Sequence, residues 1–175
     1  MDTPLVFIKP SMDHIDEIAS FRCEMLESGG PFHGVNGLQV YENLCEWIEY
    51  CQRLEDPENL PPDRVLAEQF MLVREGERRI LGMANVRHEL NDYLREYSGH
   101  IGYGVRTSER NQGYAKAMLS MCLARCAELG IDQVLVTCTT NNDYSRKTIL
   151  AHGGVFERTA REGEKVTERY WITVS

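Results

Sequence analysis

The 175-residue chain has no apolar run of the roughly 20 residues that a membrane-crossing helix requires, so no membrane partner is expected. The opening Met1-Asp2-Thr3-Pro4-Leu5 lacks the basic segment and apolar core of an export signal. Six cysteines are present, but none form a Cys-x-x-Cys pair or a compact Cys/His set, which argues against zinc or any other bound metal. Together these absences point to reduced, mostly buried thiols and a cytoplasmic setting. Basic residues are also short: 19 Lys+Arg stand against 27 Asp+Glu, for a net charge of −8. A general nucleic-acid binder needs a basic face, so no nucleic-acid partner is expected, whereas a cationic amine is compatible. Repeats and low-complexity tracts are absent. A chain of this length with 42% hydrophobic residues is expected to form one domain, 1–175, around one core.

Periodicity supplies the elements. Leu5–Lys9 reads as a strand, and Pro10-Ser11-Met12-Asp13 leads into a helix with Ile15, Ile18, Ala19, Arg22 and Leu26 along its stripe. A loop from Pro31 to Gly37 precedes a second helix, expected from Leu38 to Gln52. Glu68–Arg74 and Arg79–His88 read as strands joined by the turn Glu75-Gly76-Glu77. Asn91–Ser98 is a polar connector with one helical turn, and His100–Val105 is a further strand. A helix follows from Tyr114, with Ala115, Met118, Leu119, Cys122, Cys126 and Leu129 at helical spacing. Val134–Cys138 is an apolar, β-branched run suited to a buried strand. Val155–Arg161 and Thr167–Val174 form a closing hairpin around Glu162-Gly163-Glu164. The order is strand, two helices, three strands, helix, strand, helix, two strands, which is α+β.

Two motifs carry chemistry. In the first, the strand ending at Gly104-Val105 runs through Arg106-Thr107-Ser108-Glu109-Arg110-Asn111-Gln112-Gly113 into the helix at Tyr114-Ala115. A helix N-terminus presents unpaired N–H groups and a positive dipole end, and glycine lets a ligand approach the backbone. With Arg110 and Lys116 beside it, this turn is a seat for phosphate. A dinucleotide fold is disfavoured, because the third glycine of Gly-x-Gly-x-x-Gly would fall at Thr107 and the preceding strands read as hairpins. In the second motif, the strand ending at Cys138 leads to Asn142, then Ser145, a helix, and the turn Gly153-Gly154-Val155-Phe156.

The string Arg110-Asn111-Gln112-Gly113-Tyr114-Ala115, paired with the Asn142 motif, resembles the GCN5-related N-acetyltransferases (GNAT family), whose element order coincides with this one over nearly the whole chain. The resemblance implies a GNAT-like mixed, mostly antiparallel sheet flanked by helices. It implies acetyl-CoA as acetyl donor and a primary amine of a small molecule or peptide as acceptor. It further implies that the backbone of Tyr103, Gly104 and Val105 pairs with the pantetheine arm, with the Val105 N–H meeting the acetyl carbonyl. Arg110, Asn111, Gln112, Gly113, Tyr114 and Ala115 would take the pyrophosphate, Lys116 would add charge, and Asn142 and Ser145 would touch the far side of the arm. His100–Arg110, with Arg87-His88-Glu89-Leu90-Asn91 ahead of it, resembles a bacterial subgroup of predicted acetyltransferases, which names no substrate.

One departure bears on catalysis. Many members carry a tyrosine seven residues after the asparagine, where it protonates the leaving thiolate; this chain has Ile149. Tyr144 and Tyr103 are the substitutes. For the base that frees the amine, Tyr103 is the titratable residue on the face shared by positions 99, 101, 103 and 105. His100 faces away on a regular strand. His88 or Glu89, at the end of the neighbouring strand, is the other choice, and His33 lies in the first interhelix loop. The catalytic candidates are therefore Tyr103, His88 and Tyr144. Two other functions fit the same residues: a non-catalytic acyl-CoA-binding sensor, and a protein N-terminal acetyltransferase. A homodimer is compatible with the sequence.

Overall fold

The computed structural model describes residues 3–175; Met1 and Asp2, at the head of the segment that lacks an export signature, lie outside the described residues. In chain order the elements are β1 (Leu5–Ile8), α1 (Ile15–Glu27), α2 (Leu44–Arg53), β2 (Ala67–Arg74), β3 (Gly82–Arg87), β4 (Ile101–Val105), α3 (Tyr114–Glu128), β5 (Gln133–Thr139), α4 (Asp143–Ala151), β6 (Val155–Glu162) and β7 (Lys165–Thr173). The strands form one seven-stranded sheet in the order β1-β2-β3-β4-β5-β7-β6. Every neighbouring pair is antiparallel except β4 and β5. This is the mixed, mostly antiparallel α+β architecture expected. No described helix is long and apolar enough to cross a membrane.

Strand alternation sorts the core onto two faces. Phe70, Leu72, Ala84, Val86 and Ile101 pack against Met118, Leu119, Cys122 and Cys126 of α3. Met71, Val73 and Met83 point the other way, onto Ile18, Phe21 and Met25 of α1 and Trp47 and Ile48 of α2. Because helices cover both faces, β2 and β3 are buried almost throughout.

Some boundaries differ from expectation, each for a local reason. The second helix starts at Leu44 because the Asn43 side chain accepts the Cys45 N–H at 3.0 Å and caps it there. Leu38–Val40 is a separate 3₁₀ turn. β3 starts at Gly82, three residues late, since Arg79 turns aside to pair with Glu109 at 2.6 Å. The polar connector does hold one helical turn, Leu94–Ser98, whose first N–H donates to Asn91 Oδ1 at 2.9 Å.

The junction of β4 and β5 positions everything that follows. The two strands share a single ladder position, Ile101↔Val136. His100 closes the sheet just before it. Its N–H donates to Leu135 O at 2.8 Å, and its Nδ1 accepts the Leu135 N–H at 3.0 Å. Burial first, then Arg87 and Arg95, lower the His100 pKa to about 4, so the ring is neutral at neutral pH with its proton on Nε2. One residue thus satisfies both backbone groups of Leu135, and beyond this point the strands part. Replacing His100 by Ala leaves a buried N–H without an acceptor. The expected loss is about 1–3 kcal/mol of unfolding free energy, read by urea denaturation.

Candidate active site

β4 hands the chain to a turn that is anchored from behind. Arg106, only 2% exposed, donates to Glu17 at 2.6 Å, Glu24 at 2.7 Å and Ser20 Oγ at 2.8 Å, all on α1. Glu24 also accepts the Ser108 N–H at 2.7 Å. With the turn fixed, Asn111 and Gly113 both adopt left-handed backbone, at φ 63° and 85°. Gly113 is the N-cap of α3 and has no side chain to offer its N–H groups. The first intrahelical bond runs from Ala117 N to Gly113 O, so the N–H groups of Tyr114, Ala115 and Lys116 point outward without helical partners. A Cβ on Gly113 would meet nothing within 4 Å, so the space in front of the helix end is open. The geometry fits the anion seat that the sequence implies. The Tyr114 side chain, by contrast, is buried, and its hydroxyl bonds to Arg74 and Gln112. Tyr114 can therefore serve an anion only through its backbone.

The slot lies on the other side of β4. Arg87 N donates to His100 O and Arg106 N donates to Leu81 O, each at 2.8 Å, so the even-numbered residues of β4 aim their backbone groups at β3. Alternation turns those of Tyr103 and Val105 toward β5, where no ladder partner meets them. The Tyr103 side chain crosses toward α4, and its hydroxyl lies 2.9 Å from Ser145 Oγ. Burial pushes the Tyr103 hydroxyl up to about 12, against the Ser145 hydrogen bond, so it carries its proton at neutral pH. Asn142 Oδ1 caps α4 by accepting the Ser145 N–H at 3.1 Å. A parted strand pair, an unpaired strand edge and a helix end without a side-chain cap thus follow one another along β4 and into α3.

The sequence model of the acetyltransferase (GNAT) family matches residues 38–153. The chain belongs to that family. No curated protein sequence matches it. Among solved structures, Mycobacterium smegmatis RimJ in complex with CoA-disulfide is 19% identical, covers 97% of this chain and 82% of its own, and gives a TM-score of 0.72. The Salmonella typhimurium acetyl transferase that modifies the N-terminal serine of ribosomal protein L7/L12 is 14% identical over 99% and 97% of the two chains, with a TM-score of 0.68. Mutant forms of the spermidine/spermine N-acetyltransferase SpeG from Vibrio cholerae are 13% identical over 97% and 93%, with a TM-score of 0.65. These likenesses establish the fold.

Within this GNAT chain the catalytic candidates are not brought together. Only Tyr103 reaches the slot. His88 lies past the far end of β3, on the α3 face, where its Nε2 is 3.2 Å from a Glu68 carboxylate that also pairs with Lys9 and Arg125. Tyr144 is 78% exposed, pointing into solvent from the first turn of α4. Ile149 is fully buried in the core, so its position offers nothing to the slot.

The opposite face of β4 holds residues that the sequence did not single out. The loop after α1 lies directly on the strand: a Cβ on Gly34 would come within 2.7 Å of Gly102 O and Tyr103 Cα, a contact that only glycine permits. Three buried or half-buried amides hold the loop there. Asn36 donates to Gln69 at 2.8 Å, Gln69 donates to Gly34 O at 2.7 Å, and Asn85 donates to Asn36 at 3.3 Å while accepting the Gly102 N–H at 3.2 Å. The available signal was a polar residue at an inward position of two otherwise apolar strands, Gln69 on β2 and Asn85 on β3. His33, in the same loop, has its pKa lowered by burial and then by Lys165 and Arg110.

The anchor behind the turn gives this site an acid limit. Burial raises the Glu24 pKa, but hydrogen bonds from Ser108 and Arg106 outweigh it and bring the carboxyl to about 2, below an ordinary 4.5. A depressed folded pKa contributes stability that is complete above 4.5 and is lost as pH falls toward 2. Glu24→Gln is expected to remove on the order of 2 kcal/mol at neutral pH and to flatten the stability profile across that window, as read by denaturant melts at stepped pH.

Proposed function

We propose that this acetyltransferase moves the acetyl group from acetyl-CoA directly to the primary amine of a small molecule or peptide, with Tyr103 as the proton donor to the departing thiol. The observation that carries the reading is the Tyr103 hydroxyl, held at 2.9 Å from Ser145 Oγ across the parted strands. The donor is acetyl-CoA. It supplies a thioester whose C–S bond breaks as the amine nitrogen forms the C–N bond; the nitrogen loses a proton and the sulfur gains one. The chain's own groups divide that work. Backbone N–H groups from Arg110 to Ala115 take the pyrophosphate, supported by the charges of Arg110 and Lys116. The β5-facing edge of Tyr103 and Val105 pairs with the pantetheine amides, and the Val105 N–H stabilises charge on the acetyl oxygen as the new bond forms. Tyr103, protonated at neutral pH, is an acid and not a base, and it stands in for the tyrosine absent at Ile149. Reduced thiols support a cytoplasmic setting: all six cysteines are free, and Cys51, Cys122, Cys126 and Cys138 are buried.

Two variants separate donor binding from chemistry. Gly113→Glu puts a strained residue and a negative charge where the pyrophosphate seats. It should weaken acetyl-CoA binding by at least about tenfold in calorimetry. Unchanged affinity would remove the turn from the donor site. Tyr103→Phe should lower kcat by about 100-fold in a thiol-release assay while acetyl-CoA affinity stays level. A full-speed Tyr103→Phe enzyme would take the acid role away from this residue.

A further inference from the structure

The loop between α1 and α2 places one imidazole over the end of β4. Gly104 pairs with Met83 and so faces α1 and α2, whereas Tyr103 pairs with Ala84 and faces α3. A Cβ on Gly104 would come within 2.9 Å of His33 O and 3.7 Å of His33 Cβ. The His33 side chain therefore leaves the loop one residue from the Val105 N–H. Arg110 follows β4, and Lys165 opens β7 just past the point where Thr139, the last residue of β5, pairs with Thr167. Both charges act on the His33 ring. With a cation from each wall in reach, the ring lies across the open end of the gap, on the side opposite the Tyr103 side chain.

Of the five histidines in the chain, the other four have work for their rings. His14 meets Ser11, His88 meets Glu68, His100 accepts the Leu135 N–H, and His152 meets Ser120 and the Thr148 carbonyl. The His33 ring has no hydrogen-bond partner among the described residues, and the residue is exposed. Its loop is nonetheless held in place, because Gly34 is pressed onto Gly102 and Tyr103 and Gln69 binds the Gly34 carbonyl. Enough protein surrounds the ring for desolvation to be the largest influence on it. Burial, then Lys165 from β7 and Arg110 from the turn, all lower its pKa, so the ring is neutral at neutral pH with a lone pair free to accept a proton.

We propose that His33 is the general base of the transfer, taking the proton of the attacking amine on one face of the sheet while Tyr103 protonates the sulfur from the other. This rests on the acetyltransferase reading and supplies the base that it leaves unassigned. A thioester paired with β4 like a peptide group lies in the plane of the sheet, with one face of its carbonyl toward each helical layer. Tyr103 takes the α3 side, so the amine arrives on the His33 side. The nitrogen lone pair forms the C–N bond, His33 takes the nitrogen's proton, the C–S electrons return to sulfur, and Tyr103 donates a proton to it. Solvent then removes the proton from His33 and restores the one lost by Tyr103. A weak base suffices, because a nitrogen bonded to the acyl carbon holds its proton far less tightly than a free alkylammonium. Arg110 couples the ring to the donor: pyrophosphate seated beside Arg110 offsets its charge and raises the His33 pKa back toward its ordinary value.

The test has two arms. The first needs no acceptor: the His33 ring is titrated by NMR, its signal assigned by its absence from His33→Gln. The pKa should lie below 6.5 in the free enzyme and move up when CoA saturates the site. A ring that titrates identically with and without bound CoA overturns its placement at the gap. The second arm follows thiol release from acetyl-CoA with a panel of alkylamines, amino-acid amides and spermidine, continued with the most active of them. His33→Gln should lower kcat by about 100-fold, with acetyl-CoA affinity in calorimetry level and reporting a folded enzyme. Below the pKa of the ring, wild-type kcat/KM should fall with two protonations, one of the amine and one of the imidazole, and that of His33→Gln with the amine's alone. Added imidazole should restore part of the His33→Ala rate in proportion to its free base, which a packing role would not produce. A His33→Gln enzyme at full speed, an acid limb unchanged in that variant, or no rescue by imidazole overturns the proposal. A wild type that binds no acetyl-CoA, or releases no thiol with any acceptor, instead overturns the broader acetyltransferase reading, so the two failures are distinguishable.

Discussion

Two parallel strands that share one ladder position leave backbone donors and acceptors in the middle of a sheet with no strand to receive them. Most sheets place such groups at an outer edge, where water satisfies them. Here the unpaired edge of Tyr103 and Val105 sits between β4 and β5, with helices on both faces of the sheet. In the proposed function this edge pairs with the pantetheine arm of the donor. His100 sets where it begins, because its ring replaces the missing strand for Leu135.

The far end of the gap is set by charge. Arg106 joins the end of β4 to two carboxylates of α1, and one of those carboxylates also holds the Ser108 N–H. A buried arginine with two acidic partners is costly to break, since removing Arg106 leaves two carboxylates without their cation. The consequence is a division of labour: the acidic residues and Arg106 fix the turn, which leaves the open N–H groups of α3 for the donor in the proposed function. Structural charges and ligand-binding dipoles are kept on opposite sides of the same short segment.

The turn that the proposed function gives to the donor was legible because it is one contiguous stretch, Arg106 to Lys116, and its shape requires residues such as Asn111 and Gly113 that tolerate left-handed backbone. Element order was legible for a similar reason, since the β2–β3 and β6–β7 hairpins are each closed by a local turn. The amide cluster on the opposite face of β4 was not. Asn36, Gln69 and Asn85 come from a loop and two strands, and only the β2–β3–β4 register brings them together. His88 and Tyr144 have suitable chemistry, but a side chain's direction at a strand end or first helical turn depends on partners far along the chain: Glu68 for His88, solvent for Tyr144. The second helix was placed too early because Leu38 and Val40 continue its apolar spacing, while the cap at Asn43 outweighs that pattern.

The sheet order also carries a statement about timing. β6 lies on the edge, and β7, made after it, sits inside the sheet between β6 and β5. One wall of the gap, β5, therefore has no full-length partner until residues 165–173 have been synthesised. During translation β1 to β4 can pair before β5 is made and the α3 end can form, yet the gap between β4 and β5 is still missing a side. Non-local pairing of this kind forms late and slowly. A nascent chain would thus form the turn at the start of α3 before the gap beside β4 has its second wall.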